Sequence, residues 1–169
     1  AAVVGGEAAI PLLAQGLSDA ASDNADRAAS GLYSRFDPQR VAANKATQDA
    51  LLASIAAGEP AAATLLLAGY LPVEAAKPVL ERFLAQPASQ SLVRLESAAG
   101  PIAARIAAQV ALARLGDKNA MLAIGDLTAS ASVAEWQFLL SAIRDINAPR
   151  MLHPVQEAWV EEQVPQCGI

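Results

Sequence analysis

Cysteine, histidine, aromatic residues and clustered positive charge are all scarce in this 169-residue chain, and each scarcity closes off some chemistry. The single cysteine, Cys167, leaves no internal disulfide and too few thiolates for a zinc site. It lies in the tail VPQCGI, with no nearby base or helix N-terminus to activate the thiol. The single histidine, His153, sits between Leu152 and Pro154 and reads as a surface or groove side chain rather than a catalytic one. The 12 Lys and Arg residues never adjoin one another and the net charge is −5, so a phosphate-binding patch is missing and nucleic acid is not the expected partner. The longest charge-free stretch, Pro60–Val73, is shorter than the ~18–20 residues of a membrane-spanning helix and carries Pro60, Gly69 and Pro72. The start AAVVGGE has no charged region followed by a long apolar run, so no secretory signal is visible, although one already cleaved would leave no trace. The compartment therefore stays open.

What is abundant is alanine, roughly a quarter of all residues, and with leucine over a third. Both favour helix, and β-branched residues are few, which excludes an all-β fold. A mean hydropathy of +0.30 with little net charge argues against disorder. The length fits one domain with a sizeable core.

Punctuation by Gly, Pro and capping residues divides the chain into nine expected helices. These are Glu7–Leu17, Asn24–Phe36, Val41–Ala57, Ala61–Leu71, Val73–Gln86, Ile102–Leu115, Asn119–Leu127, Val133–Ile146 and Pro149–Glu162. Pro101 opens the sixth and Gly116-Asp117 closes it. Ile102, Ile106, Val110, Leu112 and Leu115 trace its apolar face, with Arg105, Gln109 and Arg114 largely off it. The helices recur in pairs. GEAAIPLL (Gly6–Leu13) and VEAAKPVL (Val73–Leu80) superpose Glu7 on Glu74 and Pro11 on Pro78, two units of roughly 33 residues apart. Ala111, Leu112 and Leu115 likewise fall on Ala142, Ile143 and Ile146.

With EAAIPLLAQGLSD (Glu7–Asp19) and VEAAKPVLERFL (Val73–Leu84) as first helices, and ARIAAQVALARLGD (Ala104–Asp117) and LLSAIRDINAPR (Leu139–Arg150) as second helices, the chain resembles the HEAT-repeat family. The likeness is to the short bacterial HEAT-like repeats also found in phycobilisome lyases. It implies an all-α, α-α superhelix of about nine helices in antiparallel pairs, forming a single domain over 1–169. Three departures stand out: a lengthened first turn (Ser18–Arg27), an inserted segment Pro87–Gly100, and Trp136 where the preceding unit has Arg105. Ala1–Val4 falls where the end of an earlier second helix would lie, and Pro149–Glu162 reads as a first helix without its mate. The expectation is a fragment of a longer repeat array.

No catalytic, metal or cofactor constellation emerges. Asp19, Asp23 and Asp26 would suit a hard cation or, equally, helix capping, and they lack the EF-hand pattern. Glu157, Glu161 and Glu162 read as a solvated face, and Gly5-Gly6 as a turn. The resemblance places second helices on a concave binding face, which makes Trp136 a candidate anchor beside the position of Arg105. Trp136 folded over the loop Thr128–Ser132 is the structural alternative, and Trp159 is the other tryptophan. The insertion contributes Leu92 and Arg94 as further contact candidates, or is a connector closed by a short helical turn. The expected function is a non-catalytic scaffold that binds a protein or peptide. The resemblance also admits a bilin lyase or chaperone, and a HEAT-like DNA glycosylase, whose positive concave surface this acidic chain does not supply.

Overall fold

The computed structural model describes residues 8–18, 22–94 and 100–147, and these are predominantly helical. The described helices are α1 (Ala9–Gly16), α2 (Ser22–Arg35), α3 (Pro38–Ala43), α4 (Lys45–Ala56), α5 (Ala62–Ala68), α6 (Val73–Leu84), α7 (Ala104–Arg114), α8 (Lys118–Ser130) and α9 (Val133–Asn147). The expected helix Pro149–Glu162 lies outside the described residues, as do His153, Trp159, Cys167 and Ala1–Val4.

Helix ends follow local chemistry. Gly116 takes φ +87° after α7, its N–H bonds to the carbonyl of Ala113, and the Asp117 N–H reaches back to Leu112, so the orphan carbonyls of the last turn are met. Asp117 then caps α8 by accepting from the Ala120 N–H at 2.9 Å. Gly116-Asp117 is thus one stop and one start in two residues.

Two expectations need correction. The helix expected over Val41–Ala57 is broken at Asn44, whose backbone is extended and whose side chain accepts from the Thr47 N–H at 3.0 Å. A residue that caps so well starts a new helix there, and the short α3 before it opens on Pro38 with Asp37 as its cap. The inserted segment does not close by a helical turn alone. A 3₁₀ turn at Pro87–Gln90 leads into β1 (Leu92–Val93), which pairs antiparallel with β2 (Ile102–Ala103), Leu92 opposite Ala103 and Val93 opposite Ile102. Ile102 and Ala103 therefore leave the expected helix, and α7 starts only at Ala104, whose N–H donates to the Ser91 carbonyl at 2.8 Å.

The two related prolines behave differently. Pro11 falls in the first turn of α1, where no partner for its missing N–H is needed. Pro78 is inside α6 but exposed, so water can meet the carbonyl that loses its helical bond.

Packing puts α2, α5, α7 and α9 in sequence, each touching the next, while α1, α4 and α6 form a parallel series of contacts behind them. α1 also packs on α2, α4 on α5, α6 on α7, and α8 on both α7 and α9. The Lys77 Nζ on α6 lies 2.6 Å from the Asp117 carboxylate and so ties the start of α8 to that second series. α5 is the centre: all seven of its residues are buried, including Leu65, Leu66 and Leu67, each contributing roughly 1.5–3 kcal/mol on burial. Alanine acts by being small. Ala62, Ala63 and Ala68 on α5 and Ala107, Ala108 and Ala111 on α7 are all buried, and α5 and α7 come close enough that a Cβ on Gly69 would stand 3.0 Å from the Ala111 Cα.

Candidate functional site

The four residues singled out from sequence fall on two separate surfaces. Leu92 belongs to β1 and Arg94 follows it directly, and both border a cleft of about 400 Å³. Arg105 lies in the first turn of α7 and Trp136 in the first turn of α9, and neither borders that cleft.

The cleft opens where three helices begin. Asp26 comes from the early part of α2, Gly58 to Ala62 from the turn into α5, and Ala104 from the first residue of α7. Phe83 on α6 and Ala88 in the 3₁₀ turn add apolar surface to a lining that is otherwise largely polar. Gly58 takes φ +99°, a conformation that stops α4 and turns the chain into the cleft wall. The 3₁₀ turn that carries Ala88 is held by Ser89, a buried hydroxyl that donates to the Gln86 carbonyl at 2.8 Å and the Leu84 carbonyl at 3.2 Å. At the rim, Glu59 and Arg94 are exposed and opposite in charge. Of the acidic cluster Asp19, Asp23 and Asp26, the structure places Asp26 here; Asp19 and the side chain of Asp23 lie outside what is described.

The second surface is built by α7 and α9. α9 begins with a capping box: Ser132 donates through its N–H and hydroxyl to the Glu135 carboxylate at 2.9 and 2.8 Å. The other carboxylate oxygen accepts from the Ala103 N–H at 3.2 Å and so fixes the start of α9 against β2 and α7. These bonds, the Ser132 backbone first, hold the Glu135 carboxyl below the usual carboxylate range against the opposing effect of burial, with Arg105 adding a favourable charge nearby. α9 is apolar on two faces. Phe138, Leu139 and Ala142 are buried against the core, whereas Val133, Trp136 and Leu140 are 75%, 47% and 43% exposed in a stripe at helical spacing. On α7, Arg105 and Gln109 stand one turn apart, and each keeps a buried polar atom, Nε and Oε1, without a hydrogen-bond partner among the described residues.

A polar seam closes the opposite ends of these helices. The Arg114 guanidinium, 8% exposed, lies 5.1 Å from the centre of the Tyr70 ring and 4.0 Å from the Asp145 carboxylate. Burial raises the Tyr70 phenol, and the Arg114 charge pulls it partly back. The seam joins the turn after α5 to α7 and α9.

Sequence reasoning missed Glu59, Phe83, Val133, Leu140 and Gln109. The stripe was legible in VAEWQFLL, where Val133, Trp136 and Leu140 share one side; the cleft was not, since its residues come from five distant segments. Among the described residues, no three of His, Cys, Asp and Glu gather as a metal site would require, and no helix is long and apolar enough to cross a membrane. Compared with known proteins, the chain matches no protein-family model, no curated protein and no solved structure.

Proposed function

We propose that the chain is a HEAT-like stack of helix pairs acting as a non-catalytic scaffold, which binds a protein or peptide across the exposed side of α9 next to α7. The ordered contacts within the row of α2, α5, α7 and α9, and within the row of α1, α4 and α6 behind it, support the repeat reading. The single observation that carries the binding reading is the exposed stripe of Val133, Trp136 and Leu140. A tryptophan with apolar neighbours, held by a capped and therefore rigid helix start, is the kind of anchor on which interfaces concentrate their affinity. The net charge of −5 and the scattered basic residues direct the scaffold to polypeptide rather than nucleic acid.

The test begins by selecting peptides from a random display library against the folded chain, then measuring the best binder by fluorescence anisotropy. Trp136→Ala is expected to weaken that binding ~30-fold, the equivalent of ~2 kcal/mol, while the melting temperature stays within a few degrees. A collapse of the melting temperature would make Trp136 a packing residue. Unchanged affinity would remove this face from the interaction.

A further inference from the structure

We propose that the cleft between the starts of α2, α5 and α7 is a second binding site, which takes an apolar side chain of a peptide flanked by one basic and one acidic residue. The proposal goes beyond the α7–α9 surface and does not depend on Trp136.

Its lining is part carbon and part polar. Phe83, Ala62, Ala88 and Ala104 supply the carbon, and the three alanines are small. The volume of about 400 Å³ lies within the ~300–1,000 Å³ of cavities that enclose small ligands, enough for one aliphatic or aromatic side chain and its adjoining backbone. Leu92 stands at the lip, 68% exposed, on a strand residue whose backbone is fixed by pairing with Ala103. A large apolar side chain held outward beside a partly apolar cleft loses water contact only when something enters.

The charges select what enters. Glu59 and Arg94 border the same cleft, are both exposed, and make no ion pair or hydrogen bond among the described residues, with each other or with anything else. They come from different elements and are not within ion-pair distance of each other. Asp26 and Glu59 belong to the α2–α5 side, whereas Arg94 follows β1 on the α7 side. The cleft therefore carries charges of both signs at its border around a partly apolar middle. The complement of that arrangement is a basic residue, an apolar residue and an acidic residue on one extended chain. The walls are ready-made: Gly58 in its turn, the 3₁₀ turn of Ala88 held by the two Ser89 hydrogen bonds, and Ala104 bonded to the Ser91 carbonyl all hold position without a ligand, which lowers the ordering cost of binding.

The experiment uses fluorescein-labelled, end-capped heptapeptides with a central leucine flanked by Lys and Glu in either order, by two Lys or by two Glu, titrated with the full chain and read by anisotropy. The native chain is expected to prefer a mixed-charge peptide over both like-charged ones by about 5-fold, the scale of one exposed charge pair. Glu59→Lys should move the preference to the two-Glu peptide, and Arg94→Glu to the two-Lys peptide. Replacing the central leucine by glycine should abolish saturable binding to all three proteins. Both substitutions are at exposed positions, and circular dichroism checks that each variant keeps its helices. Trp136→Ala should leave every one of these affinities unchanged, so the cleft and the α7–α9 surface fail independently. Affinities that ignore the flanking charges or the central side chain, or an absence of saturable binding, would overturn the proposal.

Discussion

Single side chains in this protein matter mainly through how little room they take. Gly69 ends α5, and a Cβ there would lie 3.0 Å from the Ala111 Cα, 3.1 Å from its carbonyl oxygen and 3.2 Å from the Arg114 Cδ. Two of those three atoms are backbone and cannot swing away, so α5 and α7 would have to separate. Gly69→Ala is therefore expected to destabilise the protein by about 1–3 kcal/mol, as overpacking does, despite alanine's better helix propensity. Urea unfolding followed by circular dichroism measures this, and a neutral or stabilising result would show that the α5–α7 contact is looser. The same economy explains why Arg114 tolerates burial: its guanidinium lies against the Tyr70 ring and near Asp145, and its position in the last turn of α7 complements the negative end of the helix.

At the level of elements, boundaries were legible wherever they are written in local chemistry. Gly116-Asp117 was read correctly as the close of α7, because a glycine in the left-handed region and a capping aspartate need no distant partner. Asn44 carries an equally local signal, yet it stands inside a run of helix formers that masks it. Its side chain meets both the Thr47 N–H and the Thr47 hydroxyl, at 3.0 and 3.1 Å. Asn44→Ala should cost about 1 kcal/mol through loss of this cap and should favour one continuous helix across α3 and α4. Chemical-shift measurement of residues 43–46 would show the change, and an unaltered break would mean that packing rather than capping ends α3. The β1–β2 pair is a different case. Nothing within Leu92–Val93 or Ile102–Ala103 distinguishes two-residue strands from connector, because pairing depends on a partner across the inserted segment.

For the molecule as a whole, carboxylates that tie elements together set the acid limit of stability. Burial works to raise the Asp117 carboxyl, but the hydrogen bonds from Lys77 and the Ala120 N–H prevail and lower it. Glu135 is lowered as well. Groups with a depressed folded pKa contribute stability that is present above the unfolded value, about 3.9 for Asp and 4.3 for Glu, and lost as pH falls through the folded one. Lys77 has the opposite sense: the Asp117 hydrogen bond raises it, so its contribution is present below the ordinary lysine value and lost only as pH rises above it. Thermal stability should therefore hold across neutral pH and fall below about pH 4. Glu135→Gln should lower stability at pH 7, and its deficit relative to the native chain should shrink as the pH is taken below about 4. A deficit that stays constant from pH 7 to pH 3 would mean that the Glu135 charge plays no part in holding α9 to β2.

The amino-acid sequence by itself determined that this protein is helical, where most of its helices stop, and that alanine would line their contacts. Propensity, capping and apolar spacing act over a few residues, so they can be read in order along the chain. Tertiary structure alone decided the cleft. Asp26, Glu59, Phe83 and Arg94 meet only because the starts of α2, α5 and α7 lie side by side, with α6 beneath and the inserted strand folded against them. It also decided the exposure of Trp136, which depends on which side of α9 its neighbours cover. An apolar residue at helical spacing reads alike whether it faces the core or solvent, and only the packing of other elements makes the difference.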